Sequence, residues 1–155
     1  MSYSVDSLPD GCYPGMSVLV NKLDIHNHSD LDEAETLTFL VQSAQLEAAT
    51  PSGPLDSAYY KALHATLFSP LYDWAGHPRT VNISKKDTNF CPASELERCC
   101  EAFFARLQAS NEFSGLSRAQ FVAALADAYH SLNMLHPFRE GNGRTQRLFF
   151  TILIR

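Results

Sequence analysis

The chain has 155 residues, 45% of them hydrophobic and 19% charged, enough for one domain with a core of its own. Its formal net charge of −5 offers no general attraction to nucleic acid or to an acidic membrane surface, so neither is expected as a direct partner. No apolar run is long enough to span a bilayer, and the opening Met1-Ser2-Tyr3-Ser4-Val5-Asp6 lacks the positive charge and apolar centre of a signal peptide.

Residues 1–28 read as an irregular arm, because Pro9, Gly11, Pro14 and Gly15 interrupt any early element. Within it, Met16-Ser17-Val18-Leu19-Val20 is a short apolar docking segment. His26 and His28, among Asn27 and Asp30, read as a solvated loop, since no further ligand cluster stands near them. Residues 29–155 form the domain proper. The spacing predicts a helix over 29–49, capped by Ser29 or Asp30, with Asp32, Glu33 and Glu35 favouring its N-terminal turn. Leu37, Leu40, Val41 and Ala44 fall on one face of it. Thr50-Pro51-Ser52-Gly53-Pro54 ends it. A second helix over 56–68 carries Tyr59, Leu63 and Leu67 at four-residue spacing, with His64 as a core or half-buried histidine.

Residues 69–92 leave the helical pattern. Arg79-Thr80-Val81-Asn82-Ile83-Ser84 alternates with period two, and Thr88-Asn89-Phe90-Cys91-Pro92 returns after the polar Lys85-Lys86-Asp87, which predicts a β-hairpin. Ser94 with Glu97 fits a capping box opening a third helix, and Ser117 with Gln120 fits another. The helix after Ser117 places Phe121, Leu125, Ala128 and Leu132 on one face. It ends near His136-Pro137, because proline disfavours a helical residue before it. A last helix from about Gly143 is apolar nearly all round, so it belongs at the centre. The four cysteines, Cys12, Cys91, Cys99 and Cys100, form no Cys-x-x-Cys pair and read as free thiols of a reducing cytoplasm.

The joint before that last helix concentrates the chemistry: His136-Pro137-Phe138-Arg139-Glu140-Gly141-Asn142-Gly143-Arg144-Thr145-Gln146-Arg147. Neutral imidazole is the usual proton acceptor near pH 7. Glu140 is an oxygen ligand for a hard cation bridging phosphates. Gly141-Asn142-Gly143 lets the backbone turn sharply and come close to a ligand, and the helix that follows opens with unpaired N–H groups. Arg144 and Arg147, three apart, share one helix face and reach one phosphate chain. Phe138 anchors the loop in the core. Neither a Gly-x-x-x-x-Gly-Lys loop nor a His-Arg-Asp loop is present, which sets aside P-loop and protein-kinase chemistry.

At every fixed position this stretch matches His-x-Phe-x-(Asp/Glu)-Gly-Asn-Gly-Arg-x-x-Arg, and on it the chain resembles the Fic family. The resemblance implies a mainly α fold: a helical bundle with a β-hairpin, the flap, over the active site. It implies transfer of AMP from ATP to a hydroxyl side chain of a target protein. His136 would be the base, and Glu140 the ligand of Mg²⁺. Gly141, Asn142 and Gly143, with the Asn142 side chain, would be donors to the α-phosphate, and Arg144 and Arg147 would hold the β- and γ-phosphates. Trp74-Ala75-Gly76, Arg79 and Pro92 stand where Fic proteins carry the flap. There Ile83, Ser84, Lys85 and Phe90 would hold a target segment by strand pairing.

Tyr13-Pro14-Gly15 followed by Asn21-Lys22-Leu23 resembles the arm of small bacterial Fic toxins and related secreted effectors. That implies control by a separate antitoxin and, as target class, a bacterial type II topoisomerase subunit. A built-in inhibitory helix of the kind many Fic proteins carry is the other possibility. Ser43-Ala44-Gln45-Leu46-Glu47 fits its first five positions, and Ala48 breaks the sixth. Fic domains usually extend the last helix and add another, so the C-terminal helices read as short or missing. Two other readings stand beside AMP transfer. One is a truncated non-catalytic domain that binds nucleotide or a partner. The other is a Doc-like phosphotransferase, against which the intact Gly-Asn-Gly-Arg and second Arg speak.

Overall fold

The computed structural model describes residues 4–5, 11–48 and 53–155. Its elements in order are β1 (Ser4–Val5), α1 (His28–Ala48), α2 (Ser57–Phe68), β2 (Ile83–Lys85), β3 (Thr88–Asn89), α3 (Leu96–Ala109), α4 (Arg118–Leu135) and α5 (Asn142–Leu153), with short 3-10 turns at Ala93–Glu95 and Asn111–Phe113. Among the described residues no helix is long and apolar enough to cross a membrane, and all four cysteines are free thiols.

α5 takes the middle although it is not apolar all round: Leu148, Phe149, Phe150 and Ile152 are buried, the polar Thr145 and Gln146 are buried with them, and Arg147 is exposed. α5 packs against α1, α2 and α4, while α3 closes against α4 and α2. Phe149 on α5 is fully buried, edge-on to Tyr60 of α2 and Phe104 of α3. Cutting such a ring back to alanine typically costs about 3–5 kcal/mol. Asp56 caps α2 by accepting from the Tyr59 N–H at 2.8 Å, and Ser117 with Gln120 forms the expected reciprocal capping box on α4. The arm docks by Val18 and Leu19, both buried. Asn21 ties the arm's turn together, donating to the carbonyls of Leu19 and Ile25 and accepting from the N–H groups of Leu23 and Ile25.

Three local expectations change. α1 is capped by Asn27, whose Oδ1 accepts the Asp30 N–H at 2.9 Å, and not by Ser29 or Asp30. The Ser94–Glu97 capping box does not form: a 3-10 turn covers Ala93–Glu95, α3 begins at Leu96, and no side chain caps either start. The Ala93 N–H bonds instead to Asn82 Oδ1 at 2.9 Å. The third change concerns which side of α1 is inside. Leu37, Leu40 and Val41 are 57–58% exposed, and the buried stripe is Leu31, Glu35 and Ser43, with Ala34, Phe39 and Leu46 beside it. α1 carries two apolar stripes at helical spacing, and the one that turns inward contains a carboxylate.

The strands form one antiparallel sheet in the order β1-β2-β3. The hairpin is shorter than the alternation over 79–84 suggests: β2 starts at Ile83 and turns after Lys85, with Lys85 opposite Thr88. Arg79 lies outside the ladder because its side chain is drawn inward and buried.

Candidate active site

The loop between α4 and α5 is built from its own backbone. α4 ends at His136 in the left-handed region, φ 47° and ψ 60°, where the extended conformation usual before proline would be expected. Arg79 holds it there. Its Nε–H donates to the His136 carbonyl at 2.8 Å, and its Nη groups donate to the carbonyls of Leu135, Val81 and Cys91 at 3.3, 2.7 and 2.5 Å. The Arg79 backbone N–H adds a bond to the Pro137 carbonyl at 2.8 Å. A buried guanidinium is thus solvated by carbonyl oxygens, and one side chain joins both limbs of the flap to the turn carrying His136. Burial pulls the Arg79 pKa down from its ordinary value.

Asn142 staples the other end of the loop. Its Oδ1 accepts the Phe138 N–H and its Nδ2 donates to the Phe138 carbonyl, each at 2.7 Å. One of the two Nδ2 protons is therefore engaged by the loop itself. Gly141 sits at φ 79° with a hypothetical Cβ only 2.5 Å from the Phe68 ring, so no other residue fits. The first intrahelical bond of α5 runs from the Thr145 N–H to the Gly141 carbonyl at 3.0 Å. The N–H groups of Asn142, Gly143 and Arg144 therefore precede any acceptor within the helix.

His64 braces the loop from below. Its Nδ1 accepts the Gly76 N–H at 2.9 Å, which leaves the proton on Nε2, donated to the Glu140 carbonyl at 3.0 Å. The imidazole stacks on Phe138 with centroids 3.7 Å apart, and burial lowers its pKa to about 4, keeping it neutral. It is the core histidine the helix spacing suggests, and it also links α2, the turn after it and the carboxylate-bearing loop.

His136 itself is buried and stacked on Phe90 of the flap, centroids 3.8 Å apart. Its Nδ1 faces the Asn133 carbonyl at 2.9 Å and must carry the proton, so Nε2 holds the lone pair. Burial is the main cause lowering its pKa to about 4, with Arg79 and Lys85 adding to it. The ring is a neutral acceptor at physiological pH.

Glu140 accepts the Gly141 N–H on Oε1 at 2.8 Å and lies 3.6 Å from Arg144 Nη2. Burial raises its pKa, as does the nearby Glu35 carboxylate, while the Gly141 N–H and Arg144 pull the other way. Arg144 lies over the Phe68 ring, 4.8 Å from its centroid, and forms an ion pair with Glu35, which also accepts the Tyr72 hydroxyl. Arg147 is exposed and makes no ion pair among the described residues. Glu47, whose side chain lies outside the described residues, gives no test of a built-in inhibitor. No group of three or more His, Cys, Asp or Glu side chains that could hold a metal occurs among the described residues. A cation here would have one protein carboxylate, Glu140, which suits Mg²⁺ held mainly by phosphate oxygens and water.

The flap residues separate by role. Ile83 is buried, so its side chain serves the core and only its backbone serves the strand edge. Phe90 covers His136. The free side of β2 is taken by the chain's own β1, Ser4 opposite Ser84 and Val5 opposite Ile83.

Sequence reading brings together His136, Glu140, Gly141 and Arg144, and misses Glu35, Tyr72 and the bracing roles of Arg79 and His64. For Glu35 a signal existed: it sits at helical spacing from Leu31 and Phe39, a lone acid on an apolar stripe.

A catalytic-type histidine, a carboxylate and a glycine-flanked helix start beneath a hairpin define a Fic-type domain. Residues 54–154 match the sequence model of the Fic/DOC family, and the chain belongs to that family. It is 39% identical over 145 residues to "Probable protein adenylyltransferase y4lH" of Sinorhizobium fredii, covering 93% of this chain and 74% of that protein. It is 35% identical over 140 residues to "Probable protein adenylyltransferase Fic" of Escherichia coli, covering 89% and 68%. Among solved structures it resembles the BepC protein of Bartonella tribocorum with bound AMPPNP, at a TM-score of 0.84 and 26% identity over 93% of this chain and 76% of that one.

Proposed function

We infer that this chain is a protein adenylyltransferase that moves AMP from ATP onto a hydroxyl side chain of a target protein. The observation carrying the reading is the fixed tautomer of His136: Nδ1–H on the Asn133 carbonyl leaves Nε2 as acceptor, on the turn that leads from α4 into α5. The target hydroxyl gives its proton to Nε2, and its oxygen attacks the α-phosphorus. The bond from that phosphorus to the bridging oxygen breaks, and pyrophosphate leaves with the electron pair. The N–H groups at the start of α5 face the charge that grows on the α-phosphate oxygens. Arg144 and Arg147 orient the β- and γ-phosphates for in-line departure. Glu140 would hold Mg²⁺, which when bound neutralises phosphate charge.

The target segment would enter as an antiparallel strand on β2, replacing Ser4–Val5 there. Ser84 and Lys85 supply that edge, and Phe90 borders it. Backbone pairing fixes a hydroxyl near His136 with little demand on the target's sequence. The exposed Arg147 supports control from outside by a separate antitoxin, and the toxin-like arm supports a bacterial type II topoisomerase subunit as target, both within the cytoplasm.

The test uses ATP labelled on either the α- or the γ-phosphate, added with Mg²⁺ to a bacterial lysate. Label on a protein from the α position alone supports AMP transfer. Label from the γ position alone establishes phosphotransfer instead, and label from neither removes the reading.

A further inference from the structure

α1 lies outside residues 54–154, the part that matches the family, yet it reaches the active site through one buried carboxylate. Glu35 is 5% exposed in a stripe otherwise made of Leu31, Ala34, Phe39, Ser43 and Leu46. Both of its oxygens are engaged: Oε1 accepts the Tyr72 hydroxyl and Oε2 accepts an Arg144 Nη2–H. Tyr72 is itself buried and stacked on Trp74 at 4.4 Å, so its hydroxyl has one fixed direction. Phe68 supports the flat of the Arg144 guanidinium. Glu140 stands 3.6 Å away on another side, a second carboxylate within reach of the same Nη2.

We propose that Glu35 is a positioning residue that clamps the Arg144 guanidinium through Nη2, so that its other N–H groups face the phosphate chain and the arginine does not close onto Glu140. An arginine between two carboxylates and a phosphate has several arrangements. A carboxylate pinned by tyrosine selects one, and it does so before nucleotide arrives. The clamp orients and adds no bond to the nucleotide, so its loss acts on turnover more than on ATP affinity. It rests on the reading of Arg144 as a phosphate ligand.

The experiment measures initial rates of AMP transfer from labelled ATP in bacterial lysate against ATP concentration. It uses the parent chain, Glu35→Gln, Tyr72→Phe, the double variant and Arg144→Ala. Glu35→Gln should lower kcat by roughly 10–100-fold, with KM for ATP within about threefold of the parent. Tyr72→Phe keeps the ring and both charges and should lower kcat by a few-fold. The double variant should match Glu35→Gln, because Tyr72 acts only through Glu35. Nitrogen-15 NMR of the arginine side chains provides a readout independent of activity: the Arg144 Nε–H signal, distinct in the parent, should broaden or move to the solvent-exposed position in Glu35→Gln. Parent-like kcat in Glu35→Gln beside an impaired Arg144→Ala overturns the clamp and leaves the phosphate role standing. Additive losses in the double variant also overturn it, as does an unchanged Arg144 signal. A parent-like Arg144→Ala removes the phosphate reading and the clamp together.

Discussion

The Nε–H of Arg79 and the carbonyl of His136 meet at 2.8 Å, 57 residues apart in sequence. Through that bond the base of the flap and the turn bearing the histidine are one unit. Lysine at 79 keeps the charge but loses the planar fork that spans several carbonyls. Arg79→Lys should destabilise the fold by about 2 kcal/mol or more, since charge-assisted bonds to buried carbonyls are lost, and AMP transfer should fall with it. Denaturant unfolding and labelled-ATP transfer measure the two effects. Parent-like values in both would show that the guanidinium fork is not needed.

His136→Ala should lower transfer by roughly 10²–10⁴-fold, the usual contribution of a positioned base. ATP binding, measured by calorimetry, should stay near the parent value because the ring is assigned to the proton and not to phosphate. Matching transfer rates in mutant and parent would remove the base assignment.

Acid should weaken the fold in a defined window. His64 and His136 titrate near 4 when folded, chiefly through burial, and near 6.5 when unfolded. Between those values the unfolded chain binds protons that the folded chain does not. Stability is therefore full above about pH 6.5 and is lost as pH falls toward 4. Urea unfolding at several pH values reads the slope. His64→Gln, which removes one of the two groups, should flatten it, and an unchanged slope would show that His64 does not titrate in this way.

The flap separates core from docking. Ile83→Asp places a charge in the core and should lower the melting temperature. Phe90→Glu should impair modification of a protein target more than ATP binding. Omitting residues 1–10 vacates the side of β2 that Ser4–Val5 covers, and target modification should become faster. Equal rates with and without those residues would argue against target pairing on that edge.

Arg147→Ala should reduce productive use of ATP, because one of the two arginines for the phosphate chain is lost. Glu47→Gly should leave activity unchanged if inhibition comes from a separate protein. A clear rise in labelled product from Glu47→Gly would instead establish a built-in inhibitor.

By itself the sequence determined the helical class, the hairpin, and the residues of the joint from His136 to Arg147, because those depend on local chemistry: caps, alternation, proline, glycine and a contiguous motif. The Ser117–Gln120 capping box shows this legibility, whereas the caps read for α1 and α3 gave way to Asn27 and to a 3-10 turn. Tertiary structure decided what depends on meetings between distant segments. Two apolar stripes on α1 competed for the interior, and the stripe bearing Glu35 prevailed, its carboxylate meeting Arg144 109 residues away. Arg79 reads locally as a strand residue, yet burial among carbonyls from α4 and the flap removes it from the ladder. A buried charge needs a partner, and the identity of that partner is a property of packing, which spacing along one helix or strand does not contain.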